Sequence, residues 1–185
     1  MFWKRLGEFF LDLLEVIVFA VAIFLFVYTL LMQPHKIKGA SMEPNYHDGE
    51  FIITDKLTYR FREPMRGEVI VFEAPGENGE EYIKRIIGLP GETVLVKDNS
   101  VYINNKKLIE VYIPAGVGTS EINFASDSPV TIESDKYFVL GDNRPQSSDS
   151  RRWGLVDKPS ITGRAWFIYW PLDKSGLIKE VEYAF

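Results

Sequence analysis

Tyr82-Ile83-Lys84-Arg85-Ile86-Ile87, closed by Gly88-Leu89-Pro90-Gly91, reads as a β-strand running into a turn. Strand alternation puts Tyr82, Lys84 and Ile86 on one face and Ile83, Arg85 and Ile87 on the other. Each face therefore carries one cation between apolar neighbours. One explanation is an edge strand whose charges deter aggregation. The other is chemical: a lysine desolvated by its neighbours loses its proton more readily and becomes a base. Arg85 cannot deprotonate and needs a carboxylate partner.

Outward from this strand, the chain beyond Pro34 is a succession of similar short runs. Glu50–Thr54, Glu68–Phe72, Glu81–Ile87, Thr93–Val96, Val101–Asn104, Tyr137–Leu140 and Ala165–Trp170 are rich in β-branched and aromatic residues. Asp98-Asn99 and Asn104-Asn105 suit hairpin turns, the second leading into a strand over Leu108–Tyr112. Residues 114–131, rich in Gly, Ser, Asp and Pro, read as an irregular insertion or mobile loop. The expected fold is mainly β: an antiparallel domain of twisted, partly closed sheets.

The near-neutral mean hydropathy of −0.06 conceals a second, different region. Val16 to Met32 is a run of 17 residues without a charge, about 26 Å long as a helix and near the minimum for crossing a bilayer. Phe9–Leu14 extends it, with Asp12 and Glu15 at the interface, and Pro34 stops it. A buried core helix and a cleaved signal sequence are the alternatives. The exit Leu31-Met32-Gln33-Pro34-His35 has no small-x-small cleavage site, so an uncleaved anchor is expected. Lys4 and Arg5 before the span balance Lys36 and Lys38 after it, which leaves the orientation undecided by charge. Residues 1–35 are thus read as an anchor and residues 36–185 as one soluble domain. The domain keeps 19 of the 21 basic and 23 of the 26 acidic residues, because only two and three of them precede residue 36.

Composition narrows the chemistry. There are no cysteines and two histidines, His35 and His47. That excludes disulfides, a cysteine nucleophile and a three-histidine metal site, and leaves a Ser-His-Asp triad only through one of those two. A net charge of −5 argues against a nucleic-acid partner. Two further segments carry reactive side chains. Gly39-Ala40-Ser41-Met42-Glu43-Pro44 presents a serine between small residues, which is either a turn serine or, given a base, a nucleophile. Gly141-Asp142-Asn143-Arg144-Pro145-Gln146-Ser147-Ser148-Asp149-Ser150-Arg151-Arg152-Trp153-Gly154 follows a strand directly, where a rigid scaffold presents functional loops.

Taken in order behind an N-terminal span, four segments resemble the bacterial type I signal peptidases: Ser41-Met42-x-Pro44; Arg66-Gly67-Glu68-Val69; Lys84-Arg85-Ile86-x-Gly88-x-Pro90-Gly91; and Gly141-Asp142-Asn143-Arg144 with Ser147-x-Asp149-Ser150-Arg151-x-x-Gly154. A single span and a compact domain are more similar to the Gram-positive members. The resemblance implies a membrane-anchored serine endopeptidase that removes signal peptides from exported preproteins, cutting after small-x-small residues without cofactor or metal. It implies Ser41 as nucleophile, Lys84 as general base, and Ser147 hydrogen-bonded to the lysine. Asp149 would pair with Arg85 and Arg151. The backbone N–H groups of Ser41 and Gly39 would form the oxyanion hole, and Ala40, Met42, Tyr82 and Ile83 would contact substrate. Gly39 stands where some members place a serine whose hydroxyl completes that hole, and Asn45 stands where threonine is common. The preprotein would add as a strand near residues 36–41 and 81–84. The implied topology is a single-pass monomer in the cell membrane with its N-terminus cytoplasmic and its catalytic domain outside. Trp166, Phe167, Tyr169, Trp170, Tyr183 and Phe185 are read as core or as a surface resting on lipid. Rival readings are a tethered β module that only binds, and a self-cleaving Ser/Lys protease of the repressor type.

Overall fold

The computed structural model describes residues 2–76, 79–179, 181 and 183; Phe185 lies outside them. Helix α1 spans Phe2–Leu30, longer than the uncharged run because Leu6, Phe9, Phe10, Leu13 and Leu14 continue its apolar surface through the charged first turns. None of its apolar window is buried against the protein, and the mean hydropathy of that window is 2.7. A core helix is thereby excluded, since a core helix buries its surface. The helix ends at Leu30, and Pro34 falls instead in the strand β1 (Met32–Lys36). Proline is admissible there because β1 is an edge strand and the missing N–H breaks no ladder. The sheet thus begins directly after the helix, and residues 32–35 belong to it.

The remaining elements are β2 (Phe51–Asp55), β3 (Val69–Glu73), β4 (Glu81–Gly88), β5 (Thr93–Lys97), β6 (Ser100–Ile103), β7 (Lys106–Lys107), β8 (Val130–Thr131), β9 (Lys136–Leu140), α2 (Ser150–Trp153), β10 (Val156–Asp157), β11 (Ile161–Trp170) and β12 (Gly176–Leu177). They form two antiparallel sheets. The larger has the order β1-β2-β11-β3-β4-β9-β10, with β12 on β11; the smaller is β7-β6-β5-β8. Neither sheet closes on itself among the described residues. Asp98, Asn99, Asn104 and Asn105 all have positive φ, as two-residue hairpins between right-twisted strands require.

Two expectations are corrected. Leu108–Tyr112 is not a strand: the ladder stops at Lys107, and the chain turns away so that the Glu110 carboxylate meets Arg144. Residues 114–131 are irregular as expected, but pinned rather than free. The Val96 amide donates to Ala125 O at 2.7 Å and the Phe124 amide to Arg151 O at 2.9 Å.

The large sheet is strongly curled. β1 and β4 stand four places apart in the strand order, about 19 Å in a flat sheet. Yet His35 Nε2 on β1 lies 2.8 Å from Glu81 Oε2 on β4. Irregularities in the register of β11 at three points, against β2 and β3, bend the sheet between them. Gly163 sits in this bend, where a Cβ would run into the Asp55 carbonyl. The concave face is filled by Ile37, Met42, Tyr46, Ile52, Val69, Val71, Ile83 and Ala165. A second cluster, including Val94, Val96, Val101, Ile103 and Phe138, joins the small sheet to the large one.

Candidate active site

The curl leaves a slot between two unpaired strand edges. β4 pairs with β3 along residues 81–85, but with β9 only from Arg85 to Gly88, so its outer edge at 81–84 has no strand neighbour among the described residues. Among those residues β1 pairs only with β2. The cavity between these edges has a volume of about 710 Å³; its walls include Lys36, Ile37, Lys38, Ser41, Tyr82, Ile83, Lys84 and Ser148. Tyr82 and Ile83 thus stand where the sequence suggests a substrate surface. Ala40 and Met42 are not among its walls. Met42 is fully buried beneath it, holding the serine turn to the core.

Lys84 and Ser41, 43 residues apart in sequence, meet at one end of the slot. Lys84 Nζ donates to Ser41 Oγ at 2.9 Å and to Ile83 O at 2.9 Å. The two groups are in contact, as a Ser/Lys dyad requires and a tethered binding module does not. Burial pushes the Lys84 ammonium down to about 8, against a smaller opposing pull from the Asp149 and Asp142 carboxylates. No carboxylate among the described residues touches Nζ; the Tyr82 ring lies 5.2 Å from it. The expected Ser147–Lys84 hydrogen bond is not formed. Ile83 O takes that place, and Ser147 Oγ is buried with no partner among the described residues. Ser147 instead packs on Gly141, where a Cβ would collide with both its hydroxyl and the Ser41 carbonyl oxygen.

The partner of Arg85 is also corrected. Arg85 Nε and Nη2 reach Asp142 Oδ1 and Oδ2 at 2.8 and 2.5 Å, a bidentate pair buried on both sides. Register decides this: Arg85 lies opposite Leu140, and Asp142 is two residues further on. Asp149 caps α2 and, among the described residues, forms its ion pair with Arg151 alone, Arg151 Nε and Nη2 both lying 2.8 Å from its oxygens. It also accepts the Gly141 amide, so it fixes the start of the loop that carries Asp142. Asn45 Nδ2 donates to Asp142 Oδ2 at 2.9 Å and to Tyr112 O at 3.1 Å, which gives the departure at this position a structural role.

Gly39 is not available as an oxyanion donor: its amide donates to Asp48 Oδ1 at 2.7 Å. Its φ of +82° serves the turn that delivers Ser41. The Ser41 amide has no acceptor among the described residues. The serine turn is clamped by Asn143, whose amide donates to Ser41 O and whose Nδ2 donates to Ala40 O, both at 3.0 Å. Asp142 and Asn143 are visible in the loop motif, but nothing in the sequence distinguishes them from its other polar residues.

A serine hydroxyl beside a desolvated lysine, in a slot shaped for an extended chain, is equipped for peptide-bond attack. Residues 10–170 match the family model described as signal peptidase, peptidase S26. The chain is 37% identical to a signal peptidase I of Bacillus licheniformis over 165 residues, covering 86% of this chain and 88% of that one. It is 36% identical to signal peptidase I T of Bacillus subtilis over 177 residues, covering 92% and 91%. A crystal structure of a signal peptidase I from Enterococcus faecalis aligns with a TM-score of 0.47 at 39% identity, covering 56% of this chain and 97% of that one. With the family model spanning most of its length, this chain belongs to the signal peptidases of the peptidase S26 family.

Proposed function

We propose that Ser41 and Lys84 are the catalytic pair with which this signal peptidase, a serine peptidase anchored by its N-terminal helix, removes signal peptides from exported preproteins. The observation that carries this assignment is the 2.9 Å contact between Lys84 Nζ and Ser41 Oγ at the end of a two-edged slot. In the neutral amine the Nζ lone pair faces the serine hydroxyl. Lys84 takes that proton as Oγ attacks the scissile carbonyl, then returns it to the leaving amine. Water releases the acyl group by the same route in reverse. With Lys84 near 8, about a tenth of the enzyme holds the neutral amine at pH 7. The unengaged Ser41 amide is the oxyanion donor. Asn143 is a positioning residue, because its two bonds fix the peptide planes on either side of Ser41.

The preprotein occupies the slot as an added strand, its backbone pairing with the free edges and its alternate side chains pointing inward. Small residues are favoured at the first and third positions before the cut, since the interior beneath is already filled by Ile37, Ile52, Val71 and Ile83. The division between membrane anchor and catalytic domain falls near Leu31, where the helix ends and the sheet begins. The N-terminus faces the cytoplasm and the domain acts as a monomer on the outer side. Leu31, Met32, Leu57, Phe61 and Trp166 line an apolar groove at the helix exit, and the domain rests on lipid there. Tyr183 does not take part, since its ring packs on Tyr112 at a centroid distance of 5.9 Å.

Cleavage of a preprotein by the wild type, Ser41→Ala and Lys84→Ala tests the dyad. Each substitution is expected to lower the rate by about 10⁴-fold or more. Full activity in either variant overturns the assignment.

A further inference from the structure

Ser41 and Lys84 belong to separate segments, a turn and the strand β4, and among the described residues no backbone hydrogen bond joins the two. Tyr112, in the segment that leaves the small sheet after Lys107, contacts the supports of both, though it is not among the walls of the slot. The Arg85 guanidinium, next to Lys84 on β4, lies over its ring at 4.3 Å. Its carbonyl accepts from Asn45 Nδ2 at 3.1 Å, four residues beyond Ser41, and the same nitrogen donates to Asp142 Oδ2 at 2.9 Å. An amide nitrogen carries two protons and serves both acceptors at once, which a single hydroxyl in its place could not. The Tyr112 hydroxyl donates to Glu110 Oε1 at 2.6 Å and accepts from Arg144 Nη2 at 3.0 Å and from the Tyr183 hydroxyl at 3.1 Å. Arg144 is itself fully buried, and its Nε donates to Gly141 O at 3.1 Å, at the start of the loop whose Asn143 clamps the serine turn. Burial holds the Tyr112 phenol well above its ordinary range, so it stays neutral and keeps all three bonds.

From this geometry we propose that Tyr112 is a positioning residue for the Ser41–Lys84 pair: its ring on Arg85 and its carbonyl on Asn45 hold the lysine's strand to the serine's turn. The inference rests on the dyad reading above. The Asp142 carboxylate grips the Arg85 guanidinium edge-on and the Tyr112 ring bears on its face, so the two contacts constrain it in different directions. Asn45 then ties both Tyr112 and Asp142 to the turn. A misplacement of about 1 Å between reacting groups costs about 100-fold in rate. A residue outside the slot therefore controls turnover without touching substrate.

The test measures kcat and KM of the full chain in detergent micelles on one peptide spanning a preprotein cleavage region, per folded enzyme as counted by circular dichroism. Tyr112→Leu removes the ring from Arg85 and is expected to lower kcat about 10- to 100-fold while KM stays within about threefold. Tyr112→Phe keeps the ring and is expected to stay within about threefold of the wild type in kcat. Asn45→Ala cuts the other end of the link and is expected to lower kcat about fivefold or more, again without moving KM. Because both changes break one link, the double variant is expected to be about as active as Tyr112→Leu alone. A loss under about tenfold in Tyr112→Leu overturns the proposal, as does a loss carried by KM. So do a phenylalanine variant no more active than the leucine one and losses that multiply in the double variant. Where Tyr112→Leu fails to fold, Asn45→Ala decides alone, and a loss under about fivefold overturns the proposal. Full activity in Ser41→Ala, by contrast, overturns the dyad reading itself.

Discussion

Lys84 and Arg85 are neighbours on one strand, both are buried, and their surroundings treat them in opposite ways. Arg85 is met by a bidentate carboxylate, a carbonyl from Gly67 and the Tyr112 ring at 4.3 Å, and its charge is held more firmly than in water. Lys84 is met by a hydroxyl, a carbonyl and a ring, and burial loosens its hold on the proton. The strand's alternation alone achieves this separation, since it sends the two side chains to opposite faces. One face is built to keep a cation and the other to lose one. Desolvation is common to both; the difference is whether a carboxylate is in contact.

The sharpest way to break this contrast is to remove the carboxylate. Asp142→Ala leaves a buried guanidinium without its partner and frees Asn45 from one of its bonds. It is expected to lower unfolding stability by about 3–5 kcal/mol in urea titrations. A cost under about 1 kcal/mol would mean that Arg85 reaches water and that the two faces differ less than their geometry implies.

The complementary change on the other face has a smaller effect of opposite sign. Lys84 falls from 10.5 to about 8 on folding, so its ammonium costs the folded state about 3 kcal/mol wherever it is protonated. Its hydrogen bonds return about 1 kcal/mol. Lys84→Met is therefore expected to be inactive yet more stable than the wild type by about 2 kcal/mol at pH 6–7. The sign follows from linkage. Between pH 8 and 10.5 the unfolded chain holds the proton and the folded chain does not, so wild-type stability rises with pH through this window. The advantage of the methionine is full below pH 8 and disappears above 10.5. An advantage independent of pH would trace it to packing instead.

Much of this architecture is legible in the order of the amino acids. The run of β-branched residues through Glu81–Ile87 marks the strand within one residue of its observed end, and the Asp98-Asn99 and Asn104-Asn105 turns mark their hairpins, because each depends on local backbone preference. Ser41 and Lys84 stand out through the resemblance carried by their motifs. The residues that sequence misplaces depend on tertiary register. Asp142 and Asp149 lie in one polar loop, and sequence cannot say which carboxylate faces Arg85 until β4 and β9 are paired. The end of the ladder at Lys107 depends on the pull of Glu110 toward Arg144 across the domain, which leaves no local mark. Gly39 likewise reads as free to donate because Asp48, nine residues away, gives no sign in sequence that it folds back.

Catalysis through this dyad requires Lys84 to work as an uncharged base, and the pH dependence of kcat/KM measures this in the free enzyme. The predicted profile rises about tenfold per pH unit below pH 8, bends at about 8 where Lys84 loses its proton, and is lost throughout in Lys84→Ala. An acidic limb that is flat, or that bends near the ordinary histidine value of about 6.5, would contradict it.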